Sequence, residues 1–165
     1  MEPLSEVKTA LVIRKADADD IPSLVRLGRE MHEEAPTFNI HDFDEEKLIA
    51  LAHSPAMTEH GASFIAEING EAIGMFCGVV VPHYFGHTLM ANELCLFVTK
   101  PKRGGTAAYR LIKAFEAWAI AHGAVVLRFG ISTGVEADKT LKLYEKLGYK
   151  LEGYQVNKYY QGGSK

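Results

Sequence analysis

The chain has 165 residues, a formal charge of −3 and a composition that is 47% hydrophobic and 24% charged. Those values fit one globular domain with its own core and exclude an intrinsically disordered chain. They also speak against a general nucleic-acid or anionic-membrane binder, which needs a basic face, and no apolar run reaches the roughly 18 residues of a membrane span.

Met1 to Glu6 carries acids where a secretory signal has basic residues, and the two cysteines, Cys77 and Cys95, make no disulfide framework. Cytoplasm is the expected compartment. Thr9 to Ala16 alternates as a first strand. Asp17, Asp19 and Asp20 then supply N-cap candidates, and Pro22 suits a first helical turn. Ile21, Leu24, Val25, Gly28, Met31, His32 and Ala35 recur at helical spacing up to Pro36. His32 on that stripe is either a packed core histidine or a pocket lining. A second, shorter helix is expected over Asp42 to Ala52. Ser63 to Ile68 and Glu71 to Val81 read as strands joined by Asn69-Gly70, a strong hairpin signal because both residues tolerate positive φ. After a loop holding His83, Tyr84, Phe85 and His87, Met90 to Val98 is the next strand. Those histidines and the cysteines match no zinc spacing, so no metal is expected.

Ala107, Ala108, Leu111, Ile112, Phe115, Trp118 and Ala119 form one helical stripe ended by Gly123. Ala124 to Ile131 is apolar on both faces apart from Arg128, which predicts a central strand. Glu136 to Leu147 is a helix closed by Gly148, and Tyr149 to Tyr154 and Val156 to Tyr160 are expected as final strands. One domain thus covers 9–160, with 161–165 as a flexible tail. The predicted order is β-α-α-β-β-β-α-β-α-β-β.

The middle of the chain carries the chemistry. Arg103-Gly104-Gly105 stands directly before a helix whose first-turn N–H groups lack internal partners, and the helix dipole adds positive potential there. Lys100, Lys102 and Arg103 add charge, the glycines admit a ligand to the backbone, and Ala107 and Ala108 keep the first turn narrow. This combination is an anion site.

The run Val98-Thr99-Lys100-Pro101-Lys102-Arg103-Gly104-Gly105-Thr106-Ala107-Ala108 resembles the central motif of the GCN5-related N-acetyltransferases (GNAT), Gln/Arg-x-x-Gly-x-Gly/Ala. Arg103 and Ala108 fit its first and last positions, while Thr106 stands where the middle Gly is usual. Leu143-Tyr144-Glu145-Lys146-Leu147-Gly148-Tyr149 is similar to the family's Leu-Tyr-x-x-x-Gly-Phe/Tyr ending, with Ala137 and Thr140 where an Asn and an Ala usually stand. The resemblance implies an α/β (α+β mixed) fold, with a twisted, mostly antiparallel mixed sheet of about six or seven strands and about four helices.

It further implies acetyl-CoA as cosubstrate and a primary amine, on a small molecule or peptide, as acceptor. The diphosphate would lie on Arg103, Gly104, Gly105, Thr106, Ala107 and Ala108. The pantetheine arm would run along Leu96, Phe97 and Val98, with Ser132 and Thr133 across the gap. Glu93 is the candidate base, since a carboxylate among apolar neighbours is either paired or functional. Alternation puts it on one face with Leu89, Cys95 and Phe97; the competing reading is an ion pair with Arg128. Tyr144 is the candidate acid for the departing thiolate, against a role as core aromatic. Glu30, Glu33, Glu34, Asp42, Asp44, Glu45 and Glu46 outweigh Arg29 and Lys47 around the first two helices. Such a field would attract a cationic acceptor, although solvated acidic helix faces are common. Tyr84 and Phe85 either flank the entrance or pack on the sheet. Pairing into a homodimer is left open. The alternative function is a non-catalytic CoA-binding module.

Overall fold

A computed structural model describes residues 10–160. The expected strand start at Thr9, the acidic segment Met1 to Glu6 and the tail 161–165 lie outside the described residues. In chain order the elements are β1 (Leu11–Lys15), α1 (Ile21–Glu34), α2 (Glu45–His53), α3 (Pro55–Thr58), β2 (Gly61–Ile68), β3 (Glu71–Pro82), β4 (Leu89–Val98), α4 (Ala107–Ala121), β5 (Val126–Arg128) and α5 (Ala137–Lys146). The sheet order is β1-β2-β3-β4-β5. The first four strands are antiparallel and β5 runs parallel to β4. The mixed, mostly antiparallel architecture is as expected.

Local chemistry explains most boundaries. Asp17 closes a capping box with Asp20, and Arg14 grips Asp20 through two hydrogen bonds of 2.7 and 2.6 Å, fixing the passage from β1 into α1. Asp44 accepts from the Lys47 N–H and caps α2, which starts at Glu45, three residues after the expected Asp42. Asn69 (φ 52°) and Gly70 (φ 76°) form the β2–β3 turn.

The far end of the sheet differs from expectation. Val126–Arg128 is a three-residue edge strand, not a central one, and the sheet has five strands among the described residues rather than six or seven. Residues 149–160 form no strand. So short an edge offers few ladder groups to a further strand, Gly153 interrupts the run, and Tyr154 and Val156 stay 90% exposed. The four-residue α3 was not foreseen.

Two apolar layers enclose the sheet. On one face, α4 buries Ala107, Leu111, Ile112, Phe115 and Ala119 against Phe64, Phe76 and Val80. On the other, Leu27 of α1 packs with Ile65, Met75, Cys95 and Phe97. Phe115 stacks on Phe76 at 4.6 Å, and both are fully buried. Gly78 makes that contact possible, because a Cβ there would lie 2.4 Å from Phe115 Cζ and 2.7 Å from the Asn92 carbonyl. With no room for the ring to retreat, Gly78→Ala is expected to cost about 3 kcal/mol by overpacking. An unchanged urea midpoint would contradict this account of the layer.

Candidate active site

The site begins where β4 and β5 part. Their ladder holds only at Met90↔Val126, Ala91↔Leu127 and Asn92↔Arg128, so the second half of β4, from Glu93 to Val98, has no neighbour on that side. A bulge marks the same point: Cys77 pairs with Cys95 and Gly78 with Glu93, which leaves Leu94 outside the ladder. The extra residue reverses the alternation. Leu89 and Ala91 pack toward α4, whereas Cys95 and Phe97 belong to the α1 layer. Glu93 therefore does not share a face with Cys95 and Phe97, contrary to simple alternation. It lines a cavity in the fork together with Leu96 and Val98.

Nor is Glu93 paired with Arg128 among the described ion pairs. One carboxylate oxygen accepts from the Gly130 N–H across the fork at 3.1 Å, and the Leu96 N–H also serves the carboxylate. Burial outweighs these two donors and raises the Glu93 pKa to about 7. A half-ionised carboxylate at neutral pH suits a proton acceptor.

The cavity measures about 230 Å³ and runs from Glu93 to the start of α4. Gly104 (φ 92°) and Gly105 face open space: nothing lies within 4 Å of where a Cβ would be. No side chain caps α4 at Thr106, so the first-turn N–H groups stay available. Ala107, Ala108, Ser132 and Thr133 line the walls, as do Arg103 and Phe97. Of the residues expected here, Thr106 alone does not.

Arg103 is in place but engaged. Its Nε donates to the Val98 carbonyl at 2.8 Å, both terminal nitrogens grip Glu34 of α1 at 2.5 and 2.6 Å, and its guanidinium lies over the Phe97 ring. Glu34 is held below its ordinary pKa mainly by that bond, so the pair stays charged. Arg103 thus fastens the glycine loop to α1, and the uncapped backbone with Lys102 is left to meet an anion.

Two hydroxyls in the cavity lack partners. Tyr144 Oη and Ser132 Oγ are both buried without a hydrogen bond. A buried hydroxyl left without a partner costs about 1–3 kcal/mol, so both are ready to bond whatever enters the cavity. Burial, and after it the nearby Glu93 and Cys95, raise the Tyr144 pKa far above that of a free phenol. Across the loop, Thr133 Oγ1 accepts from the Val135 N–H, and the Ser132 carbonyl accepts from Thr37 Oγ1 at 2.6 Å.

Lys102, expected to add charge at the helix start, also lines the cavity; Gly130, Thr140 and the Glu136–Lys139 pair (2.6 Å) do so too and were not anticipated as site residues. Gly130 follows β5 with no motif to mark it. His32 lies outside this cavity, bonded through Nε2 to the His41 carbonyl at 2.6 Å. Tyr84 and Phe85 are more than 80% exposed and stack on His83, so they do not pack on the sheet.

The sequence model of the Acetyltransferase (GNAT) family matches residues 26–149. The chain belongs to the GNAT acetyltransferase family. No curated protein matches its sequence. Among solved structures, this GNAT acetyltransferase is similar to the aminoglycoside acetyltransferase meta-AAC0020 from an uncultured soil metagenomic sample, solved with sisomicin. They share 19% identity at a TM-score of 0.71, over 94% of this chain and 99% of that one. It is also similar to aminoglycoside N-acetyltransferase AAC(6')-Iy, solved with the bisubstrate analogue CoA-S-monomethyl-acetylneamine (21%, TM-score 0.72, 92% and 98% covered). A third is the ribosomal-protein-alanine N-acetyltransferase of Brucella melitensis biovar Abortus 2308 (15%, TM-score 0.70, 92% and 99%). In this GNAT acetyltransferase the bulged β4, the open start of α4 and Tyr144 of α5 surround one cavity. No helix among the described residues is long and apolar enough to cross a membrane.

Proposed function

We propose that the protein is an N-acetyltransferase that moves an acetyl group from acetyl-CoA to a primary amine by direct attack, with both substrates bound together. One observation carries this reading: a carboxylate poised near neutrality and an unpartnered phenol line a single cavity whose other end is an uncapped helix start. The cavity fits the cosubstrate. The α4 N–H groups, the open backbone at Gly104 and Gly105, and Lys102 suit a diphosphate, and the unpaired edge of β4 from Leu96 to Val98 suits an amide-bearing arm.

Bound acetyl-CoA supplies an acyl group activated as a thioester. Glu93 takes the proton of the incoming ammonium, whose ordinary pKa lies near 10. That step also acts on Tyr144. The Glu93 charge holds the phenolic proton in place, so neutralising Glu93 loosens it when a departing thiolate needs it. Ser132 Oγ is a further donor in the same walls. The free thiols Cys77 and Cys95 accord with a cytoplasmic setting.

Thiol release from acetyl-CoA on addition of primary amines tests the reading; CoA binding without release toward any amine would leave only a binding module. Gly105→Glu sharpens the test, since the position has room for a side chain and the new carboxylate would face the anion seat. It is expected to raise the CoA Kd at least tenfold with the fold intact. An unchanged Kd in calorimetry would move the diphosphate elsewhere.

A further inference from the structure

Resting on the acetyl-transfer reading, we propose that the acceptor is a monoamine carrying one apolar aryl or alkyl group, which seats beneath α1 and α2 with its nitrogen toward Glu93. A second cavity of about 360 Å³ lies there, on the sheet face opposite α4. Its walls are side chains such as Leu24, Met31, Phe43, Leu48, Met75 and Leu94, and no Asp, Glu, Lys or Arg lines it. Of its polar members, His41 presents an imidazole to the cavity, while His32 and Ser63 are already served. His32 is held by the His41 carbonyl, and Ser63 bonds the Cys77 sulfur. An apolar cavity of roughly 150 Å³ holds a benzene ring, so this one admits an aryl group with a short linker.

Its position joins it to the reaction site. Leu94 and Cys95 of its wall follow Glu93 directly at the bulge, and the Glu93 charge acts on both Cys77 and Cys95. The α1–α2 connection spans the two cavities: Phe38 lines the second, while Thr37 bonds Ser132 at the first. At the bulge Glu93 lines the first cavity and the next residue, Leu94, lines the second.

Charge counting selects a monoamine. Of the acids of α1 and α2, Glu30, Glu45 and Glu34 are taken by arginines, as Arg26–Glu30, Arg29–Glu45 and Arg103–Glu34, and Glu33 and Glu46, in no described ion pair, line neither cavity. Glu136, in the wall of the first cavity, is taken by Lys139. Glu93 is then the one carboxylate of the two linings without a cationic partner among the described residues, and it matches one ammonium. A polycation would bring further ammonium groups against hydrocarbon with no counter-charge.

The experiment compares kcat/KM for 2-phenylethylamine, spermidine and sisomicin in the thiol-release assay, with calorimetry of 2-phenylethylamine on CoA-loaded protein. The arylalkyl amine is expected to exceed both polycations at least tenfold and to bind with a negative heat-capacity change. Leu94→Arg, at a 43% exposed rim position that tolerates charge, is expected to cut that ratio at least tenfold. Leu51→Arg, 46% exposed on α2, should act in the same direction and guards against a folding defect in the first variant. Spermidine or sisomicin turning over faster than 2-phenylethylamine overturns the apolar assignment and leaves acetyl transfer standing, as does turnover with ratios untouched by both variants. Binding of 2-phenylethylamine that both variants weaken, with no thiol release toward any amine, overturns the transfer reading and retains the cavity as an apolar-amine site. Absence of both binding and turnover of 2-phenylethylamine removes the proposal.

Discussion

Glu93→Gln is expected to lower kcat at pH 8 by a hundredfold or more, the usual scale for a lost general base. The wild-type rate should climb with pH through a limb near 7, because Glu93 must be ionised to accept a proton and burial sets its pKa at about that value. Below that limb the wild-type carboxyl is itself protonated, so the gap between the two enzymes should narrow. Glutamine keeps an oxygen for the Gly130 and Leu96 N–H groups, which spares the geometry of the fork.

The same substitution should stabilise the protein above neutrality. The folded pKa lies above the ordinary 4.5, so the fold favours the protonated carboxyl. Its contribution to stability is complete below about pH 4.5 and is lost as pH rises through 7. Ionised Glu93 then costs the fold up to about 3 kcal/mol, since every tenfold change in proton affinity is worth about 1.4 kcal/mol. Thermal melts should place the Gln variant level with wild type at pH 4.5 and above it at pH 8.5. An inactive variant that melts lower at pH 8.5 would assign Glu93 a structural role instead.

Sequence and structure agree where a single local rule decides. Uncapped glycines before an apolar stripe can only become an open helix start, and the α4 segment behaves so. Tyr144 shows the limit of spacing: the stripe Thr140, Leu141, Tyr144 and Leu147 reads as a core face, and only the resemblance pointed to the cavity that Tyr144 lines. The fork was not legible. A bulge is one extra residue in one strand, and nothing in Asn92-Glu93-Leu94-Cys95 distinguishes a shifted register from a regular one. Because the side-chain period is two, that one residue moves every later side chain to the other face. It separates Glu93 from Cys95 and creates the layer under α1. Arg103 shows a second limit. Its positive charge is plain in the sequence, but Glu34, 69 residues earlier, meets it only through the docking of α1 on the sheet. The end of the sheet failed for a related reason: Ala124 to Ile131 has the composition of a long buried strand, yet only Val126–Arg128 finds a partner.

Tyr144→Phe is the complementary case. Removing the phenolic oxygen should lower kcat about a hundredfold while CoA remains bound, because α4 and the β4 edge supply the binding groups. In the free protein the hydroxyl is buried with no partner, so its loss should raise stability by about 1–2 kcal/mol in urea titration. Gain in one quantity and loss in the other is what separates a proton donor from a core aromatic: a core role would leave kcat at wild-type level. The two variants also test the link between their sites. Glu93 in its charged form raises the Tyr144 pKa, and a neutral Glu93→Gln removes that field. The double variant should therefore lose far less than the product of the single losses, since each residue works through the state of the other. Rates that multiply would mean that the two side chains share a cavity and nothing more.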